Sequence, residues 1–188
     1  TNAELARLVD SGAFARIKGL LDDAVQRGAK VVVGGDANPA QRYLAPTVLV
    51  DVPADAPVLQ EEIFGPVLPV VTYRTFEDAL AYVRNRPKPL ALYVFSRKNS
   101  TVDATLAETT SGGVCVNNTL LHVANPGLPF GGVGPSGMGN YHGRAGFRTF
   151  SHERSVLRQQ GNPMSRWLAP PYTSRMNRIV ARLARWLE

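Results

Sequence analysis

At 188 residues, 44% of them hydrophobic and 19% charged, the chain is long enough for a domain with a buried core and too apolar to be disordered. No run approaches the roughly 18 apolar residues of a membrane span, and Thr1-Asn2-Ala3-Glu4-Leu5 has neither the basic nor the apolar segment of a secretory signal. The formal charge of +6 does not mark a nucleic-acid binder: nine basic residues fall between Arg144 and Arg185, mostly in the tail, and none forms a stretch interleaved with aromatics.

In chain order, Asp10-Ser11 is an N-cap, and Phe14, Ile17, Leu20, Leu21, Ala24 and Val25 follow at helical spacing up to Gly28, a C-cap glycine. Lys30-Val31-Val32-Val33 reads as a short buried strand closed by Gly34-Gly35-Asp36. Residues 43–50 form a second strand interrupted by Pro46, and residues 67–73 a third. Phe76, Ala79, Leu80 and Val83 make a helical stripe, residues 90–96 a strand, Val102 and Leu106 a short helix, and residues 113–117 another strand. Such alternation predicts an α/β fold with a largely parallel sheet and flanking helices. Glycine density makes residues 125–146 an ordered loop. Residues 1–160 form the main body; residues 161–188 hold a proline-containing linker (163–172) and a helix over 174–187.

Several groups could carry chemistry. In Glu61-Glu62-Ile63-Phe64-Gly65-Pro66 a carboxylate can accept both hydroxyls of a ribose, and the neighbouring aromatic can wall a nicotinamide ring. The plainer reading is an acidic loop before a strand. Gly132-Val133-Gly134-Pro135-Ser136-Gly137 fits G-x-G-x-x-G by letter only: Pro135 sits inside it, and no acidic residue follows at the required distance. Cys115 lies between Val114 and Val116 in an apolar strand, so it reads as a structural thiol rather than a nucleophile. As the one cysteine it excludes an internal disulfide and fits a reducing, cytoplasmic compartment. His122, His142 and His152 have no metal-site spacing, so no metal is expected; His142 reads as a group that orders its loop.

In the last helix Met176, Ile179, Val180, Leu183, Ala184 and Leu187 form an apolar stripe, bordered by Trp186, with Arg175, Arg178, Arg182 and Arg185 off it. It is too short to span a bilayer. Docking on its own protein is favoured over an anionic membrane surface, because four arginines also describe a solvated face.

The hexapeptide at 61–66 and Leu-Pro-Phe-Gly-Gly-Val-Gly-Pro-Ser-Gly-Met-Gly-Asn-Tyr-His-Gly at 128–143 resemble the C-terminal half of an aldehyde dehydrogenase. Tyr-Leu-Ala-Pro-Thr at 43–47, residues 87–96 and 111–114, and Phe-Arg-Thr-Phe-Ser-His at 147–152 are similar to its class-three, coniferyl-aldehyde branch. The resemblance covers nearly the whole chain and is weakest beyond Asn162. It implies the catalytic-domain portion of that fold, with Glu62 on the cofactor ribose and Phe64 on the nicotinamide. Phe130 would face the aldehyde, in a Pro-Phe-Gly-Gly loop closing the substrate tunnel, and Asn117 matches an asparagine of the preceding strand segment.

The resemblance further implies an intact enzyme that uses NAD or NADP to oxidise an aromatic or medium-chain aldehyde, by thiohemiacetal, hydride transfer and thioester hydrolysis. It implies a homodimer in which a strand of one subunit lies along the sheet of the other, with residues 113–117 near an exposed edge. The family's Gly-Gln-x-Cys nucleophile and its general-base glutamate would lie before Thr1. The missing initiator Met agrees with a fragment, which alone would be inactive. The alternative is a non-catalytic truncated product that associates with a partner chain or a membrane surface.

Overall fold

The computed structural model describes residues 4–158, 160 and 170–187. The chain divides into two compact units, Thr1–Lys88 with Lys98–Thr110, and Pro89–Arg97 with Ser111–Glu188.

The first unit is organised by helix α1 (Ser11–Gln26). Asp10 caps it, its carboxylate accepting from the Ala13 N–H at 2.7 Å. At the other end the Ala29 N–H reaches back to the Ala24 carbonyl at 2.9 Å while Gly28 turns at φ 106°, so glycine supplies the left-handed step that closes a helix. Of the predicted stripe Phe14, Ile17, Leu20, Leu21 and Ala24 are buried, while Val25, at its end, is exposed. The stripe packs on Leu49 of β4 (Thr47–Val50), Val67 of β5 (Val67–Pro69), Leu44 and Val58; with β1 (Lys30–Val33) these strands form a sheet ordered β1-β4-β5. A side chain such as Ile17 or Leu49 contributes about 1.5–3 kcal/mol there.

Pro46 interrupts the second predicted strand as expected. Its first half, β3 (Tyr43–Leu44), pairs antiparallel with β2 (Ala37–Asn38), and its second half is β4. β1 differs from its predicted buried state: Val31, Val32 and Val33 are 40%, 55% and 56% exposed. It is the outer, antiparallel strand of its sheet, with an irregularity between Val31 and Val33, and α1 spends its apolar face on Leu44, Leu49 and Val67 instead. An apolar run reports a need for cover, not its source. The third strand is shorter than predicted. Its register with β4 runs from Thr47↔Val67 to Leu49↔Pro69, the Val70 N–H donating to the Leu49 carbonyl at 2.8 Å, and β4 itself ends at Val50, before Asp51 turns at φ 54°.

Helix α2 (Phe76–Arg84) starts on a reciprocal cap: the Asp78 N–H donates to Thr75 Oγ1 at 3.2 Å and the Thr75 N–H to Asp78 Oδ2 at 2.8 Å. These bonds hold the Asp78 carboxyl below its ordinary range. Arg84 bridges Glu77 and Glu108, linking α2 to α3 (Asn99–Glu108), and is held above its ordinary range by Glu77 first. Lys30 is likewise raised by Asp51.

In the second unit β6 (Ala91–Val94) and β7 (Gly113–Val116) run parallel, from Ala91↔Gly113 to Val94↔Val116, and the chain passes through α3 between them. The α/β class is therefore as expected. β4–β5 and β6–β7 are the parallel pairs; β1–β4 and β2–β3 are antiparallel. Two short helices were not foreseen, α4 (Leu121–Ala124) and α5 (Gly143–Thr149), the second absorbing the end of the predicted loop. The predicted last helix is α6 (Ser174–Leu187). Most of the predicted linker, residues 163–169, lies outside the described residues.

Candidate cofactor and substrate loops

Glu62 and Phe64 belong to the first unit, Phe130 and Asn117 to the second.

Residues 61–66 leave a single turn of 3-10 helix (Pro57–Leu59) and enter β5. The loop is gripped from α1: Arg16 donates Nη1–H to the Glu62 carbonyl at 3.0 Å and Nη2–H to the Ile63 carbonyl at 2.7 Å. On its far side the Pro66 carbonyl accepts the Thr47 N–H at 2.8 Å, and Ile63 packs on the core. Gly65 lies so close to α1 that a Cβ there would stand 2.6 Å from Ile17 Cδ1. Between these anchors Phe64 is held at φ 47° with its ring 82% exposed. A left-handed conformation costs a non-glycine residue on the order of 1–3 kcal/mol, and an exposed phenyl ring recovers none of it by burial. Such strain persists only where the surroundings over-determine it, and it gathers at ligand clamps. The Glu62 carboxylate is exposed and, among the described residues, has no ion-pair partner.

The second loop is built on close backbone approach. A Cβ on Gly132 would stand 1.9 Å from the Ser136 carbonyl oxygen, and one on Gly112 2.2 Å from that of Gly131. Only glycine permits either contact. Ser136 Oγ accepts the Val133 N–H at 2.9 Å, tightening the turn. The loop folds back so that Phe130 and Tyr141 exchange both backbone hydrogen bonds, at 3.0 and 2.8 Å. Phe130 is thereby fixed, half-buried, among rings: His122 at 5.6 Å, Tyr141 at 5.6 Å and 80°, and His142 at 6.3 Å between centroids. Tyr93 of β6 meets His122 edge-on at 5.9 Å.

Asn117 is a clamp. At φ 54° its amide pairs with the backbone of Ser96, accepting the Ser96 N–H at 2.8 Å and donating to the Ser96 carbonyl at 3.0 Å, so the β6–β7 ladder continues through a side chain. His142 Nδ1 lies 3.1 Å from the Leu128 carbonyl, the predicted ordering contact. Cys115 sits half-buried in β7 opposite Tyr93. No group of His, Cys, Asp and Glu able to hold a metal occurs among the described residues. Sequence reading missed Arg16, His122 and Tyr141. Arg16 carries no local signal, being 46 residues from its partner, and Tyr141 meets Phe130 across the loop, where no short-range spacing marks it.

These loops can be set against known proteins. Residues 1–156 match the model of the aldehyde dehydrogenase family. A probable coniferyl aldehyde dehydrogenase of Pseudomonas aeruginosa is 47% identical over 97% of this chain and 38% of its own length. The dimeric NADP-preferring aldehyde dehydrogenase of Rattus norvegicus is 50% identical over 82% of this chain and 33% of its own. Among solved structures, the substrate-bound state of Staphylococcus aureus AldH superimposes with a TM-score of 0.75 at 40% identity, over 94% of this chain and 38% of that one. Mycobacterium tuberculosis aldehyde dehydrogenase complexed with NAD+ gives 0.76 at 31% identity, over 85% and 33%. The chain thus spans between 33% and 38% of the length of these relatives. It belongs to the aldehyde dehydrogenase family.

Proposed function

We propose that this chain is the cofactor-gripping and substrate-walling portion of an NAD(P)-dependent aldehyde dehydrogenase that oxidises aromatic or medium-chain aldehydes to acids. The observation that carries the reading is Phe64, strained at φ 47° and 82% exposed, two residues from the exposed Glu62 carboxylate, which has no ion-pair partner among the described residues. An exposed carboxylate fits a ribose diol and a presented phenyl ring fits the face of a nicotinamide. The nicotinamide, when bound, takes up the electrons of aldehyde oxidation. The chain's own part is placement: Glu62 accepts two hydroxyl hydrogen bonds, Phe64 keeps water from one ring face, and Phe130 walls the aldehyde.

The 188 residues hold one thiol, Cys115, within a β-ladder. Cys115 is read here as structural, so the isolated chain should form no NADH from aldehyde. Such activity, abolished by Cys115→Ala, would make it the nucleophile. Assembly as a homodimer, in line with a relative named as dimeric, and residence in the cytoplasm, where a free thiol is stable, complete the proposal.

The test is Glu62→Gln in a full-length protein carrying this segment. Loss of a charge-assisted contact worth about 1.5–3 kcal/mol should lower kcat about tenfold or more and weaken cofactor binding. Unchanged kcat and cofactor affinity would reject the assignment.

A further inference from the structure

Arg16 differs from the other basic residues of α1 in what it holds. Lys18 pairs with Asp22 at 2.6 Å, and Arg27, at the helix end, with Asp23 at 2.7 Å. The positions three and four residues from Arg16, where a helical partner would stand, hold Gly12, Ala13, Gly19 and Leu20. Among the described residues Arg16 has no carboxylate partner. Its guanidinium reaches 46 and 47 residues along the chain instead, to two successive carbonyls, Glu62 at 3.0 Å and Ile63 at 2.7 Å. Extended backbone points successive carbonyls to opposite sides, so two of them on one guanidinium mean that the chain curves at Ile63. The next residue of α1, the fully buried Ile17, stands against the other side of the turn, where a Cβ on Gly65 would lie 2.6 Å from its Cδ1. One helix thus fixes the chain both before and after Phe64, the residue held at φ 47°. A left-handed phenylalanine relaxes unless its flanks are held.

We propose, on the reading of Glu62 and Phe64 as cofactor ligands, that Arg16 is a positioning residue for the nicotinamide cofactor. It acts through the backbone of residues 62–64, keeping the Glu62 carboxylate and the Phe64 ring presented before the cofactor arrives. A loop released from this grip would hold the competent conformation for only part of the time, and apparent affinity falls by that fraction. Hydride transfer suffers with it, since a loosely placed ring is seldom in reacting geometry. The planar guanidinium fork suits the task because it offers two N–H groups in fixed directions, which a lysine ammonium does not.

Arg16→Ala and Arg16→Lys in a full-length protein carrying this segment test the role, with Glu62→Gln and the double variant Arg16→Ala with Glu62→Gln alongside. Arg16→Ala should weaken cofactor binding about tenfold, the lower end for hydrogen bonds to a charged group and suited to an exposed guanidinium. It should lower kcat as well and leave the aldehyde KM unchanged, and Arg16→Lys should fall between it and the parent. With Glu62 already replaced, Arg16→Ala should cost less than it does alone, because both changes act on one contact. Unchanged cofactor affinity and kcat in Arg16→Ala, with Glu62→Gln impaired, would leave the cofactor reading standing and reject the role of Arg16. So would full multiplication of the two effects, or a lowered melting temperature with cofactor affinity intact, the mark of a merely structural arginine. If Glu62→Gln is itself without effect, the cofactor reading falls and the positioning role with it.

Discussion

The two units are held by different forces. In the first, α1 closes over β4, β5 and the adjoining turns, and Ile17, Leu44, Leu49, Val58 and Val67 form a continuous buried cluster. In the second, Val94 is the buried hydrophobic among the described residues, while Phe147, Phe150 and Leu157 stand open, Leu157 at 92% exposure. Its order comes from backbone contacts that only glycine allows, an amide clamp at Asn117 and a stack of rings around Phe130. The first unit has the core of an independent fold. The second is a scaffold of short-range constraints, suited to holding one aromatic wall in place but exposing apolar surface that calls for cover by other protein.

The sharpest break of this contrast is Ile17→Ala. It removes a fully buried side chain from the first unit's cluster and should cost about 2–5 kcal/mol, read as a lowered denaturation midpoint. It also withdraws the side chain against which Gly65 rests, so the Phe64 loop should loosen with it. A cost below about 1 kcal/mol would mean that the cluster is not the source of stability.

The second unit answers to Gly132→Ala. A Cβ 1.9 Å from the Ser136 oxygen must displace backbone, a strain of about 1–3 kcal/mol. The Phe130–Tyr141 bridge should be lost, as seen in amide chemical shifts, while the shifts of α1 and β4 stay in place. Collapse of both units together would show that they are not separately held.

What the sequence disclosed follows the same division. α1, α2, α6 and the Pro46 break were legible because periodicity, caps and proline act within a few residues. Glu62, Phe64 and Phe130 were singled out by the motifs that carry the family resemblance, and the structure adds where each of them lies. Illegible were features set by distant partners: the exposure of β1, which depends on what α1 covers; the grip of Arg16 on the carbonyls of Glu62 and Ile63; and the left-handed turn at Phe64 that the grip sustains. α5 was hidden because Gly143 and Gly146 argue against a helix locally, and the clamp at Asn117 because an asparagine after a strand reads equally as a turn.

Phe130→Ala probes the ring stack by function. Each aromatic pair is worth about 0.5–1.5 kcal/mol beyond area. In a full-length protein the preference for benzaldehyde over a short aliphatic aldehyde should therefore fall about two- to tenfold, with cofactor affinity nearly intact. An unmoved ratio would remove Phe130 from the substrate wall.

The smallest effect is electrostatic, and it separates the units by pH. Asp78 accepts the Thr75 N–H and holds the start of α2, which keeps its carboxyl below the ordinary range. A carboxyl lowered on folding contributes stability that is present above its unfolded value, about 3.9, and that is lost as pH falls through the folded value. Acidification below about pH 4 should therefore loosen the first turn of α2, visible as drift of the Glu77, Asp78 and Ala79 amide resonances, and Asp78→Asn should show the loosened turn already at neutral pH. The second unit's clamps are neutral: Asn117 on Ser96, and Thr149 Oγ1 donating to the Asn140 carbonyl at 2.8 Å. The Ser96 and Asn117 amides should hold steady over the same range. If they drift in step with α2, acid acts on the whole chain, and the Asp78 cap is not the group that titrates.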